Sequence, residues 1–172
     1  MSYGNFIIPV NGLAPGKTVF EWSAGKAFFE DFGNGEILDA KLTVRAEAEK
    51  SGKYLGIDCT ISGTLSVSCD RCLGDIEMPV DTTVRLSVKY GNAETDEDRN
   101  DGDREVVFLD GSDTDLDLSQ IVYDYSCLAL PIRRVHPDGK CDPAVAGRIG
   151  KMPEEAAREE NPFAALRGMF GK

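Results

Sequence analysis

Residues 69–74 read Cys-Asp-Arg-Cys-Leu-Gly, in the context SVSCDRCLGDIEMPV. Two cysteines at this spacing can place two thiolates on one tetrahedral metal ion. Gly74, two places after Cys72, suits a metal knuckle, where the backbone turns tightly and aims N–H groups at the sulfurs. The same spacing serves dithiol redox enzymes, whose cysteine pair opens a helix and has its first thiol activated by the helix dipole. Here Asp75 to Glu77 and Pro79 lead into a strand-like run, and Asp70 opposes whatever Arg71 does for a thiolate. A third reading leaves two ordinary thiols in a turn.

A closed structural metal site needs four ligands. The chain has a single histidine, His136, and Cys141 follows five residues later. Cys69, Cys72, His136 and Cys141 would form a Cys3His set for zinc, although 63 residues separate its two halves. The plainer alternative is a hydrogen-bonded loop histidine beside an incidental thiol. Other chemistry is sparse: there is no glycine-rich phosphate loop, no Ser-His-Asp candidate and no carboxylate pair that stands out. Asp96, Asp98 and Asn100 begin a calcium-loop pattern, but Asp101 occupies the glycine position and Val107 the bidentate glutamate position. Asp113, Asp115 and Asp117 fail in the same way, with Leu118 in place of glycine.

The elements that must position these residues can be read from periodicity. Residues 5–10 and 17–23 read as short strands, and 24–32 as a short helix with Gly33 or Gly35 at its exit. From Leu42 the chain alternates, with Leu42, Val44, Ala46 and Ala48 on one face and Thr43, Arg45, Glu47 and Glu49 on the other. That is a half-buried strand over 36–49. A turn at 50–53 leads to a return strand over 54–68, with a bulge expected at Gly63. Cys69–Gly74 turns the chain again into a third long strand over 76–90. Residues 92–105 hold seven acidic residues and two arginines, and read as a mobile loop. A strand over 106–110 and a helix over 117–130 follow, capped by Asp117 or Ser119 and ended by Pro131. Ile121, Val122, Tyr125, Leu128 and Ala129 form its apolar stripe, with Cys127 as a small core residue. A partly basic loop spans 131–143, and a short helix is expected over 142–149.

These elements give an α+β fold, mostly an antiparallel β meander with a few short helices in the C-terminal half. Residues 1–150 are expected to form one domain. Residues 151–172 are a linker and amphipathic tail, with Phe163, Leu166 and Phe170 at helical spacing. The 172 residues are 41% apolar, which is globular composition. Five cysteines, with no basic leader and no long apolar run, lead us to expect reduced thiols, a cytoplasmic location and no membrane partner. The net charge of −11 disfavours non-specific binding to nucleic acid and suits a basic protein partner.

The order of motifs carries a resemblance. CDRCL, a strand, an acidic interval, a helix ending in LALP, then His-x4-Cys and NPFAAL, is similar to the YceD family. The resemblance implies a role in accumulation of large-subunit ribosomal RNA in bacteria or plastids. It implies large-subunit ribosomal RNA or a basic ribosomal protein as partner, and no small-molecule substrate. Family members carry a pair matching Cys69 and Cys72, and many carry a cysteine matching Cys141. The expected function is therefore a non-catalytic ribosome-biogenesis factor. The alternatives are a dithiol enzyme using Cys69 and Cys72, or a direct RNA binder. The binder would use Lys53, Arg71, Arg85, Lys89, Arg133, Arg134, Lys140 and Arg148, with Arg133 and Arg134 beside His136 as a local patch.

Overall fold

Three long strands carry the fold because their alternating residues supply one continuous apolar face. The computed structural model describes residues 6–91 and 100–148. Strands β1 (Ile7–Ile8), β2 (Gly16–Gly25), β3 (Ile37–Ser51), β4 (Tyr54–Ser68) and β5 (Asp75–Tyr90) come first. After them come β6 (Asn100–Asp101), β7 (Arg104–Leu109) and β8 (Leu116–Asp117). The helices are α1 (Lys26–Asp31), α2 (Ser119–Leu128) and α3 (Pro143–Ala146).

The main sheet runs β2-β3-β4-β5-β7-β6, and β1 pairs with β8 in a separate two-stranded ladder. From β2 to β5 each strand is antiparallel to the last, so the expected meander is present. It does not extend to the sheet edge, because β7 lies parallel to β5. The acidic interval also differs from expectation: Asn100–Asp101 pairs with Arg104–Glu105 as a hairpin. Residues 92–99, with Asp96 and Asp98, lie outside the described residues, as does the 151–172 tail. The helices are not confined to the C-terminal half, since α1 and a 3-10 turn at Val10–Gly12 both fall near the start. That turn also shortens the strand expected over 5–10.

One face of the sheet is buried by Leu42, Val44, Ala46, Ile57, Cys59, Ile61, Val84, Leu86 and their neighbours. Phe6, Ile8, Phe29, Leu118 and Val122 cover it and are all fully buried. At about 25 cal/mol per Å2 of apolar surface, this is the main stabilising term. Phe28 sits in the middle of the cover, edge-on to Phe6, Phe29 and Phe32 with ring centroids 5.0–5.2 Å away.

Local chemistry sets the connections. Helix α1 ends in a Schellman motif: Asn34 N–H bonds the Phe29 carbonyl, Gly33 N–H bonds Glu30, and Gly33 takes φ 71°. The Asn34 carboxamide oxygen then accepts from Glu36 and Ile37 N–H, while its NH2 donates to Tyr123. One side chain thus joins α1, β3 and α2. In α2, Val122 and Ser126 face the sheet, and Ser126 satisfies its hydroxyl on the Val122 carbonyl. Leu128, expected on the apolar stripe, is instead 75% exposed. Cys127 is half-buried as a small packing residue against the core.

The irregularity in the strands falls between Ile37 and Asp39, not at Gly63. The extra residue there shifts the alternation, so that both Ile37 and Leu42 reach the core. Gly63 keeps the register, paired with Leu42 and Val80, but adopts φ 145°. A Cβ at this position would drive into the Lys41 carbonyl. Gly63→Ala is therefore expected to lower unfolding stability by more than about 1 kcal/mol, measured as the urea midpoint at unchanged slope.

Candidate metal centre

The turn between β4 and β5 is built from its own backbone. Cys69 N–H donates to the Gly74 carbonyl at 2.8 Å, and Leu73 N–H to the Cys69 carbonyl at 2.9 Å. Leu73 takes φ 60° to close the turn, the one described non-glycine residue at positive φ. This geometry turns main-chain N–H groups inward. Those of Arg71, Cys72 and His136 point at the Cys69 sulfur, and those of Gly74 and Asp142 at the Cys72 sulfur.

The second half of the site arrives on the loop after α2. Asp70 and Arg134 clamp it reciprocally: Asp70 N–H donates to the Arg134 carbonyl at 2.7 Å, and Arg134 N–H to the Asp70 carboxylate at 2.6 Å. The Arg134 guanidinium also reaches Glu36 at 3.2 Å. Asp142 caps α3 by accepting from Ala144 N–H, which fixes the chain next to Cys141.

These restraints bring together all four residues expected from spacing. The ligand atoms of Cys69, Cys72, His136 and Cys141 lie within 4.8 Å of one another, close enough to hold one metal ion. Cys72 Sγ stands 3.4 Å from His136 Nδ1, and Cys141 Sγ stands 4.0 Å from both Nδ1 and Cys69 Sγ. The three cysteines are buried, and none of the chain's five is in a disulfide. His136 Nε2 lies 3.1 Å from the Asp75 carbonyl. A carbonyl only accepts, so Nε2 carries the proton and Nδ1 presents its lone pair to the sulfurs.

The electrostatics favour thiolate at Cys69 and Cys72. Burial pushes the Cys69 thiol up, but the N–H groups of Cys72, Arg71 and His136 outweigh it and bring Cys69 down to about 6. The Asp142 and Gly74 N–H groups likewise lower Cys72. His136 is raised, first by its bond to the Cys69 sulfur. Cys141 is raised by burial and by the neighbouring sulfurs. Cys59, inside the main core, is pushed up to about 11 by burial alone. The cysteine pair opens no helix, because β5 begins at Asp75 immediately after the turn.

The cations proposed as an RNA patch do not form one surface. Arg134 is paired with Glu36 and Asp70, Arg71 lies 3.9 Å from Asp138, and Arg85 is paired with Asp103. Lys53 and Lys89 lie at the other end of the sheet, against the β3–β4 turn. Among the described residues no second group of ligand side chains gathers, and Asp113, Asp115 and Asp117 bond locally to Asp110 N–H, the Thr114 hydroxyl and Ser119 N–H. The sequence reading missed the Asp70–Arg134 clamp and the Asp75 carbonyl. Backbone partners leave no residue-type signal.

A family model described as large ribosomal RNA subunit accumulation protein YceD matches residues 57–170. No curated protein and no solved structure matches the chain.

In chain stripped of metal, Cys69 has a folded pKa of about 6 against an ordinary value of 9.0. Its contribution to stability is complete above the unfolded value and is lost as pH falls through the folded one. Urea midpoints of metal-free protein should therefore fall as pH is lowered from about 9 to about 6, with a smaller fall in Cys69→Ser.

Proposed function

The chain belongs to the YceD family, and from that premise we propose a non-catalytic factor that supports accumulation of large-subunit ribosomal RNA. In this reading Cys69, Cys72, His136 and Cys141 hold a structural zinc ion. The family match is the observation that carries the role, since it spans both halves of the cluster.

The donor set fits zinc. Bond lengths of about 2.3 Å to sulfur and about 2.0 Å to nitrogen put tetrahedral ligand atoms roughly 3.5–3.8 Å apart. The Cys72–His136, Cys141–His136 and Cys69–Cys141 separations of 3.4–4.0 Å bracket that spacing, and all four atoms lie within 4.8 Å of one another. Four protein ligands leave no open position for water or substrate, which is the pattern of a structural rather than a catalytic ion. When bound, the ion supplies cross-linking between the β4–β5 turn and the loop after α2. Nothing favours the dithiol reading, in which the pair would open a helix. The net charge of −11 suits a partner of basic character, or an RNA contact confined to a small surface.

Loss of the gene should lower large-subunit RNA relative to small-subunit RNA in total RNA, at low and ordinary growth temperatures. An unchanged ratio at both would remove the role. For the ion, protein purified without chelator should carry about one zinc per chain. Cys69→Ser or Cys72→Ser should release it and lower the melting temperature, because binding energy at such a site is folding energy. Cys59→Ser and Cys127→Ser should leave the zinc content unchanged. Protein purified without chelator that holds no zinc and keeps its three cluster thiols free would contradict the assignment.

A further inference from the structure

The two edges of the main sheet are finished differently. One ends in β7 and the two-residue β6, whereas the other ends in β2, which is ten residues long. That is about twice the usual length of a strand. A free strand edge is a template for pairing with another chain, and proteins blunt it with proline, bulges or short strands. None of these devices is used in β2. Gly16–Gly25 contains no proline, and its pairing with β3 runs from Gly16–Lys50 to Gly25–Lys41 without a register shift. Among the described residues, 16–24 make no backbone hydrogen bond outside the ladder with β3.

The side chains of β2 are complementary to themselves. Phe20 and Trp22 stand opposite Ala46 and Val44 and pack on the core. Their rings stack at 5.7 Å with planes 6° apart, and Phe6 meets Trp22 edge-on, so the strand is already ordered. Lys17, Val19 and Glu21 lie on the other face, where Val19 is 48% exposed. Lys17 reaches Glu47 at 2.6 Å, and its ammonium keeps further N–H donors. Glu21 makes no hydrogen bond or ion pair among the described residues.

A two-fold axis normal to the sheet keeps like faces of two copies together, so only residues of one face can meet across the seam. An axis through Val19 sets Val19 against Val19, and Lys17 of each copy against Glu21 of the other. On the core face it sets Phe20 against Thr18 and Trp22 against Gly16, a large residue opposite a smaller one each time. The neighbouring registers fit less well. An axis through Phe20 puts Val19 opposite Glu21 and Lys17 opposite Ser23, and one through Glu21 brings two carboxylates together. We propose that β2 is a dimerisation edge, pairing antiparallel with β2 of a second copy over residues 16–22 about an axis through Val19. The seam requires neither the zinc ion nor the ribosomal role.

Sedimentation velocity of the full chain in low salt, from about 10 μM to about 1 mM, should show a dimer that grows with concentration, because one strand pair lies at the small end of stable interfaces. Lys17→Glu and Glu21→Lys should each weaken self-association about tenfold, since each makes both charge contacts repulsive. An equimolar mixture of the two variants should recover the dimer, because every contact then joins opposite charges. The double variant should dimerise like the parent. Glu47→Gln, which removes only the partner of Lys17 within the chain, should also dimerise like the parent. A monomer at every concentration overturns the proposal and leaves this edge to another segment or another protein. So do single variants that associate like the parent, a loss of association in Glu47→Gln, and a mixture that stays monomeric although both variants keep the parent's melting temperature.

Discussion

The loop after α2 has little apolar surface with which to hold itself to the sheet. Its contact is a satellite cluster of Cys69, Cys72 and Cys141, with Ile76, Val135 and Val145 packed around it, separate from the main core. So small a cluster cannot order a segment without regular secondary structure, given about 1–2 kcal/mol of backbone entropy per residue. The Asp70–Arg134 clamp offsets part of that cost, and the N–H groups trained on two sulfurs leave the rest to the ion proposed for this cluster. The order of dependence follows: the turn must form for the loop to dock, and the loop must dock to complete the four-ligand set.

The main core constrains the other features more loosely. Only one face of the long strands is covered, and the opposite face carries charges that pair between neighbouring strands and turns. Lys17 pairs with Glu47, Arg104 with Asp58, and Arg85 with Asp103. Exposed pairs of this kind are each worth about 0–1 kcal/mol, so their main effect is to cancel charge across the sheet rather than to stabilise it.

Ligand chemistry collects instead at one end of the sheet. Strand β4 runs from Tyr54 to Ser68, which at about 3.3 Å per residue places its ends roughly 45 Å apart. One end abuts the sulfur cluster and the other the β3–β4 turn. A proposed ion at one end would order the C-terminal loop without touching the turn at the other.

Much of this was legible in the sequence. Strict alternation along residues 42–48 fixes a half-buried strand, because side chains of a strand alternate faces whatever their partners. Short polar turns fix antiparallel neighbours, since only an antiparallel pair closes over so few residues. Ligand types and the Cys-x2-Cys spacing are local too, and they named all four members of the cluster. Tertiary structure alone decided what depends on distant segments. It brought His136 and Cys141 to a turn more than 60 residues earlier. It placed β7 parallel to β5, moved the strand irregularity to Ile37–Asp39 and exposed Leu128 at the end of α2. Each of these follows from which surfaces meet, and periodicity along a single segment carries no record of the surface it will meet.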